Sequence, residues 1–296
     1  MLRKVLKYDI KSVWRYWWIA AVIFVAATLI CSVGLRAYIE YMDWYGRLPF
    51  EHSVTYDLIT IFSSMSLFVV VIGEYLLMAG FALMPSLLTA IRYYKNFFSD
   101  NGYLTFTLPV KRSTHLMSKI INGMLWNAVT VMLTFVGVGI MLLIIPPTYG
   151  DGLINPVVYR DFFEGLGIIF KESPIWFIVY CFIGIITFVV VTFFSAVIIP
   201  LCITIGSTIA KKHKILASIG IYYGFSFIIS MGSEIMYFMT ILMTTGLSTM
   251  VYGATPDQML TLIAAFILLL TAMGATMGII AYNINLNIIE RKLNLA

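Results

Sequence analysis

The sequence predicts an all-α, polytopic membrane protein with six transmembrane helices. Of its 296 residues, 61% are hydrophobic and only 11% are charged, whereas soluble domains are about 45–50% apolar and about 25% charged. The 19 basic and 14 acidic residues are too few to cover the surface of a soluble protein of this length. Six apolar stretches also reach the length of about 20 helical residues that a bilayer core requires. We therefore expect lipid to cover most of the chain.

The six apolar stretches define the predicted spans of a single transmembrane domain, residues 1–296. They extend over residues 17–38, 58–90, 120–145, 174–205, 215–233 and 257–282. Several are longer than the minimum, which favours tilted helices or helices that extend beyond the membrane. No internal repeat or low-complexity linker divides the chain into further domains.

The distribution of basic residues predicts that both ends of the chain lie in the cytoplasm, because lysine and arginine collect in cytoplasmic loops. Fifteen of the 19 basic residues fall on one side: in residues 1–16, in the connection 91–119, in residues 211–214 and at the C-terminal end. Nine of the 14 acidic residues fall on the other side. This spread over several loops also argues against a nucleic-acid partner, which requires a concentrated basic surface.

Two further segments are predicted to contact the membrane without crossing it. In residues 1–16, apolar side chains recur at helical spacing among lysine and arginine, which indicates an N-terminal interfacial elbow helix; a basic tail that only sets topology is the alternative. Residues 235–252 are apolar enough for a seventh span, but that crossing would place Asp257 inside and Arg291 outside, against the charge rule. We expect a re-entrant or outer-leaflet segment there, and Gly246 would suit its turn.

The sequence contains none of three common motifs for nucleotide binding, metal binding and nucleophilic catalysis. It has no GxxxxGK[ST] loop for nucleotide phosphates, no HExxH metal motif and no GxSxG nucleophile motif. His52, His115 and His213 are far apart in sequence, and the three cysteines lie in apolar runs. We expect no catalytic residue, no metal ion and no cofactor bound by this chain.

Glu74 lies in the middle of the second predicted span, where an ionised side chain is costly unless it is paired or hydrated. It is therefore expected to face protein or a water-filled cavity. Two roles stay open: a residue of a substrate cavity or proton relay, and a hydrogen-bonded packing residue.

The connection 91–119 combines charges, a turn and apolar side chains, which is unlike a passive loop. Residues 92–119 read RYYKNFFSDNGYLTFTLPVKRSTHLMSK, and Asp100 to Gly102 form a turn signal. After the turn, apolar residues alternate with polar ones until Pro109, so that one face requires an apolar partner. These apolar residues are Leu104, Phe106, Leu108 and Val110.

The same run resembles the permease subunits of type-2 ATP-binding-cassette (ABC) exporters, particularly those of Gram-positive bacteria. Such permeases often have a YKN helix end, a D-x-GYL turn and a TLPV run between their second and third spans. The matching residues are Tyr94, Lys95, Asn96, Asp100, Gly102, Tyr103, Leu104, Thr107, Leu108, Pro109 and Val110. These permeases also have a basic elbow helix, six spans and a re-entrant segment before the last span. The local motif covers about a tenth of the chain, whereas the architecture covers all of it.

The resemblance implies that the chain exports a substrate across the bacterial cell membrane by alternating access, powered by a separate ABC ATPase that binds ATP and Mg. It also implies a second permease copy or paralogue as a partner. The ATPase would dock on the connection 91–119 and, secondarily, on the loop after the fourth span. The residues assigned to this coupling are Asp100, Gly102, Tyr103, Leu104, Phe106, Leu108, Pro109, Lys211 and Lys212. The substrate stays open among peptides, drugs, lipids and polysaccharides.

Two other functions stay open from the residues alone. A proton-coupled secondary transporter would use Glu74 as its proton carrier, and an internal inverted repeat would favour it, but the sequence shows none. An intramembrane enzyme or sensor would require converging catalytic residues or a signalling domain, and the sequence contains neither.

The predicted orientation can be tested by cysteine labelling of intact cells, after replacement of the three native cysteines. Asp151→Cys is expected to react with a membrane-impermeant reagent, because the charge distribution places the loop 146–173 outside. Lys212→Cys is expected to stay protected until the cells are permeabilised. The reverse labelling pattern would contradict the topology.

Overall fold

A computed structural model describes residues 2–46, 54–99, 102, 111–144, 164, 165, 167, 170, 171, 174–210, 212–250 and 256–292. These residues form six long α-helices and contain no strand. The helices are α1 (Leu2–Gly46), α2 (Val54–Phe98), α3 (Arg112–Ile144), α4 (Pro174–Ile209), α5 (Lys214–Met250) and α6 (Pro256–Lys292). The all-α fold class is confirmed.

All six helices are long and apolar enough to cross a membrane. Their most apolar windows have mean hydropathies between 1.6 and 2.8, and a helix satisfies its own backbone hydrogen bonds, as the bilayer core demands. The helices contain 33 to 45 residues. At about 1.5 Å per residue, even the shortest spans roughly 50 Å, which is longer than a bilayer core of about 30 Å. The prediction of six spans in a multi-pass membrane protein is confirmed. Because the helices are longer than the bilayer core, they must tilt or extend beyond it.

The structure does not show a separate elbow helix at the N-terminus. Residues 2–16 are the first turns of α1, which continues through Trp17 without a break. The apolar stripe of this segment is partly covered by protein, since Val13 and Trp17 are buried, while Tyr8 and Trp14 are exposed. An interfacial helix and the extension of a span share the same 3.6-residue period, so the pattern could not separate them.

Within the described residues, which omit 251–255, the segment before the last span contains no re-entrant turn. The helix α5 continues from Lys214 to Met250, and Gly246 lies inside it. The distribution of charged residues excluded a seventh crossing but did not require a re-entrant turn. A long fifth helix also adds no crossing, so it agrees with the same distribution of charges.

The described helices divide between two compact units. Unit 1 comprises Met1–Ile10, Ser86–Leu125 and Ile168–Ala296, and unit 2 comprises Lys11–Pro85 and Trp126–Gly167. The helices α1, α2 and α3 contribute residues to both units, whereas α4, α5 and α6 belong to unit 1. The change of unit within α2 falls at Pro85, a proline inside the helix.

In unit 1, the central helix is α4, which packs against both α5 and α6. Small residues permit this packing, as is common between membrane helices. A Cβ atom at Gly206 would lie 2.5 Å from the backbone nitrogen of Ser218, and one at Gly278 would lie 2.8 Å from the Phe193 ring. The buried core of the unit comprises Tyr93, Phe97, Leu116, Ile120, Ala196, Val197, Ile198, Leu201, Cys202, Ile203, Ala281 and Ile289.

Unit 2 is held by aromatic packing between α1, α2 and α3. The rings of Phe24 and Phe81 stack with their centroids 4.3 Å apart and an interplanar angle of 7°. A Cβ atom at Gly137 would lie 2.9 Å from the Phe24 ring, so α3 approaches this pair closely. The Trp17 Nε1 donates a hydrogen bond of 2.7 Å to the Thr130 hydroxyl, which satisfies the polar atom of a buried indole.

Two glycines of α4 provide a matched test of the close α4–α5 contact. Gly206→Ala is expected to lower the free energy of unfolding by about 1–3 kcal/mol, because the added methyl would overlap the Ser218 backbone. Gly184 has no atom within 4 Å of its Cβ position, so Gly184→Ala is expected to be neutral or to stabilise by up to about 1 kcal/mol through helix propensity. Thermal unfolding of both variants in detergent measures the difference. Equal stability of the two variants would contradict the close contact.

Candidate functional site

Two of the nine predicted coupling residues lie within the described part of the chain. Gly102 is buried, and Lys212 is exposed in a bend before α5. The Gly102 nitrogen donates a 2.7 Å hydrogen bond to the Ser99 carbonyl, and a Cβ atom at this position would lie 2.9 Å from the Phe97 carbonyl oxygen. A side chain would therefore collide with the end of α2. The predictions for Asp100, Tyr103, Leu104, Phe106, Leu108, Pro109 and Lys211 fall outside the described residues.

The last turns of α2, which lead into the connection, are anchored by Tyr93. This side chain is 1% exposed, and its ring stacks on Phe97 with 4.7 Å between the centroids. The Tyr93 hydroxyl lies 2.7 Å from the Thr204 hydroxyl of α4 and 3.3 Å from Oδ1 of Asn285 in α6. Because hydrogen bonds between buried side chains are directional, Tyr93 fixes the end of α2 to both helices.

The first residue of α3, which follows the connection, is anchored by its own side chain. The Arg112 Nη1 donates hydrogen bonds of 3.0 Å to the carbonyl oxygens of Ile289 and Glu290. These carbonyls lie in the last turn of α6, where the helix leaves its acceptors without backbone partners. A cation at a helix C-terminus also interacts favourably with the helix dipole. Arg112 therefore caps α6 and joins it to the start of α3.

A largely buried ion pair joins the same part of α3 to the first turns of α1. The Asp9 carboxylate accepts a 2.7 Å hydrogen bond from the Ser118 hydroxyl and pairs with the Lys119 ammonium group. The two charged side chains are only 14% and 9% exposed, respectively. His115 is buried one turn earlier on α3. Asp9 and Lys119, which are more than a hundred residues apart in the sequence, thus meet in the first turns of α3.

Sequence reasoning found the connection 91–119 but not the side chains that anchor it. Tyr93, Arg112 and Lys119 lie within the predicted segment, yet their partners lie on α1, α4 and α6, more than a hundred residues away. One signal was available: Asp9 and Asn285 are polar residues on otherwise apolar helix faces, and buried polar groups require partners. The identity of those partners could not be read from spacing.

The second site surrounds Glu74 in unit 2. The Glu74 side chain is 3% exposed, and among the described residues neither of its carboxyl oxygens has a hydrogen-bond partner. The thiol of Cys31 on α1 lies close enough to this carboxyl group for an electrostatic interaction, but not in hydrogen-bonding geometry. One turn along α1, the Thr28 hydroxyl oxygen is buried and also lacks a partner among the described residues. The site therefore contains a carboxyl group and a hydroxyl group with unused hydrogen-bonding capacity.

The aromatic pair Phe24–Phe81 lies beside this polar site. Cys31 follows Phe24 by seven residues on α1, and Glu74 precedes Phe81 by seven residues on α2. The stacked rings and the proximity of Cys31 to Glu74 define one antiparallel register between the helices. Seven helical residues correspond to about 10 Å, and Thr28 lies between the two levels.

An apolar cavity of about 230 Å³ lies between α4 and α6 in unit 1. Its wall includes Val190, Phe194 and Leu270, together with Thr187 and Thr271. The two threonine hydroxyls lie 2.9 Å apart and bond to each other. Since their hydrogen-bonding capacity is used, the cavity presents an apolar surface.

Neither a metal-binding cluster nor a related protein identifies the function of these candidate sites. Within the described residues, no group of three or more His, Cys, Asp or Glu side chains is arranged to hold a metal ion. No family model, no curated protein and no solved structure matches the chain. The candidate sites therefore rest on geometry and on the residues themselves.

Two ion pairs of different burial test the anchor between α1 and α3. Lys119→Met is expected to lower the free energy of unfolding by about 3 kcal/mol, because it leaves the largely buried Asp9 carboxylate without its cation. The control is Arg36→Met, which breaks the exposed Arg36–Glu40 pair and is expected to change stability by less than about 0.5 kcal/mol. Unfolding in detergent measures both. The Asp9→Asn/Lys119→Met double variant is expected to recover part of the loss, and equal effects of the two single variants would contradict the anchor.

Proposed function

We propose that the chain is the permease subunit of an ATP-driven ABC exporter, which pairs with a separate ATPase and a second permease copy or paralogue in a bacterial cell membrane. The observation that carries this proposal is the anchoring of the connection between α2 and α3. Tyr93 fixes the helix that enters the connection, and Arg112 and Lys119 fix the helix that leaves it. All of these contacts lie within unit 1.

This anchoring suits a segment that receives force from a soluble partner. A force on an unanchored loop moves only the loop. A force on a segment that is fixed at both ends displaces the helices to which the segment is fixed. Here those helices are α4 through Thr204, α6 through Asn285 and the Arg112 cap, and the first turns of α1 through Asp9. One docking event would therefore act on several helices at once.

The resemblance of the connection to ABC permeases gives the proposal its particular form. The tight turn at Gly102 supports the D-x-GYL part of the motif, since a side chain there would collide with Phe97. The sequence contains no phosphate-binding loop, so ATP and Mg would be bound by the ATPase. Leu104, Phe106 and Leu108 would supply the apolar surface on which that subunit docks.

A proton-coupled secondary transporter is the second candidate function, and the burial of Glu74 favours it. A carboxyl group at this depth with no described hydrogen-bond partner is typical of membrane proton relays. The two functions differ in their need for an ATPase. Only the exporter requires a nucleotide-binding partner on the connection 91–119.

Phe106→Asp tests the exporter by placing a charge in the proposed docking surface. The variant is expected to lose co-purification of the ABC ATPase from native membranes, because an unpaired carboxylate would be desolvated in the contact. ATP hydrolysis by the mixed subunits is expected to become independent of the permease. The control is Phe170→Asp, an exposed aromatic residue between α3 and α4, which is expected to retain both properties.

Membrane insertion of both variants is measured in parallel, so that loss of the protein is not mistaken for loss of docking. If Phe106→Asp inserts, co-purifies with the ATPase and couples normally, the connection is not the docking site. If the wild-type protein isolates with no ATPase at all, the exporter proposal fails and the secondary transporter is favoured.

A further inference from the structure

The cavity between α4 and α6 in unit 1 lies far from the ends of both helices. Its wall extends from Thr187 to Phe194 on α4 and from Ile267 to Gly274 on α6. Each of these residues is about 15 Å or more from either end of its helix, and both helices are candidate membrane spans. The hydrocarbon core of a bilayer is about 30 Å thick, so the cavity is surrounded by acyl chains at this depth rather than by water.

The cavity is elongated along the two helices. The Tyr180 hydroxyl donates to the Leu260 carbonyl over 2.8 Å, and further along both helices the Thr187 hydroxyl lies 2.9 Å from that of Thr271. Residue numbers therefore increase in the same direction on α4 and α6. The wall follows each helix over about 10 Å. This long axis is the direction in which the acyl chains of a bilayer also extend.

The wall of the cavity offers no free hydrogen-bond donor. The Thr271 hydroxyl donates to the Ile267 carbonyl over 2.7 Å, so the Thr187 hydroxyl is the donor in the bond between the two threonines. A buried water molecule requires two to four polar partners, and a polar ligand would lose its hydrogen bonds to water on entry. The occupant is therefore apolar. The apolar side chains that would contact it are Val190, Val191, Phe194, Ile267 and Leu270.

The size and the opening of the cavity favour a hydrocarbon chain. Two wall residues, Val191 and Leu270, are 59% and 36% exposed, so the cavity opens at the surface of the helices. An apolar cavity of about 150 Å³ holds a benzene ring, so the volume of about 230 Å³ has room for about nine carbon atoms. A side chain from a neighbouring helix fits a compact hole between four residues, whereas a chain that enters from the side fits an elongated opening.

We propose that this cavity binds one acyl chain of a membrane phospholipid, which inserts from the bilayer between α4 and α6. The chain supplies the van der Waals contacts that the wall atoms lack when the cavity is empty. It thereby joins the middle of α4 to the middle of α6, beside the hydrogen bond between Thr187 and Thr271. The binding step requires neither an ATPase nor a transported substrate, so it goes beyond the proposed exporter and is independent of it.

The experiment titrates the purified, delipidated full-length protein in detergent with palmitoyl-oleoyl phosphatidylcholine and counts the bound lipids by native mass spectrometry. The wild type is expected to bind one phospholipid more tightly than any further ones. Gly274→Leu places a side chain in the cavity, starting from a Cβ position 3.5 Å from Val190, and is expected to weaken this first step at least about tenfold. The matched control is Gly184→Leu, at an exposed position of α4 with no atom within 4 Å of the added Cβ; it is expected to bind as the wild type does.

A second variant and two other lipids separate recognition of the chain from folding and from the headgroup. Val190→Phe fills the cavity from α4 and repeats the test if Gly274→Leu does not fold. Phosphatidylglycerol with the same chains is expected to bind within about twofold of phosphatidylcholine, because the wall contacts only the hydrocarbon. Phosphatidylcholine with chains of about six carbons is expected to lose the first step, because these chains end before the middle of the bilayer.

The position of the chain is checked with a phosphatidylcholine that carries a photoreactive diazirine in the middle of one acyl chain. Crosslinks to the wall segments of both α4 and α6 are expected in the wild type and in Gly184→Leu, and are expected to be lost in Gly274→Leu.

Three outcomes would overturn the proposal: no preferred first phospholipid on the wild type, equal lipid binding by Gly274→Leu in the folded state, or equal binding of the short-chain lipid. If Gly274→Leu changes the oligomeric state and leaves lipid binding unchanged, the cavity belongs to an interface between two copies of the chain. None of these results concerns the ATPase, so the exporter is tested separately by Phe106→Asp.

Discussion

The structure depends on one constraint: in lipid, each polar group must find its partner within the protein. The backbone meets this demand by forming six long helices, and many hydroxyl side chains meet it by bonding to their own helix. Thr134, Thr192 and Thr271 each donate to the carbonyl four residues earlier, over 2.7 to 2.9 Å. Against this pattern, several buried polar atoms have no hydrogen-bond partner among the described residues, including the Glu74 carboxyl oxygens and the hydroxyls of Thr28 and Ser207.

Helix association follows from the same constraint, since apolar surfaces are not driven together when lipid is the solvent. Unit 1 uses close approach at Gly206 and the hydrogen bonds of Tyr93 and Arg112. Unit 2 uses stacked rings, with a glycine of α3 against Phe24. In both units, close packing and hydrogen bonds hold the helices together in place of the hydrophobic effect. Single side chains are therefore expected to matter more than total apolar area.

The sequence predicted the spans well because bilayer thickness and the charge rule act on composition, which a single sequence displays. It did not predict the continuity of α1 through Trp17 or of α5 through Gly246, because an extended span and a separate amphipathic segment share one periodicity. Glu74 could be found as an acid within an apolar span. Its Cys31 neighbour could not, because contacts between helices depend on register and rotation, which composition does not set.

The helix α2 relates the two candidate sites through the chain itself. It carries Glu74 in unit 2 and Tyr93 in unit 1, and the change of unit falls at Pro85. A proline removes one backbone hydrogen bond and weakens the helix locally, and Pro85 is the residue of α2 at which unit 2 ends. The hydrogen-bonded anchor around Tyr93 suits a fixed element. The Glu74 carboxyl oxygens have no hydrogen-bond partner among the described residues, so the two parts of α2 meet the demand for polar partners to different extents.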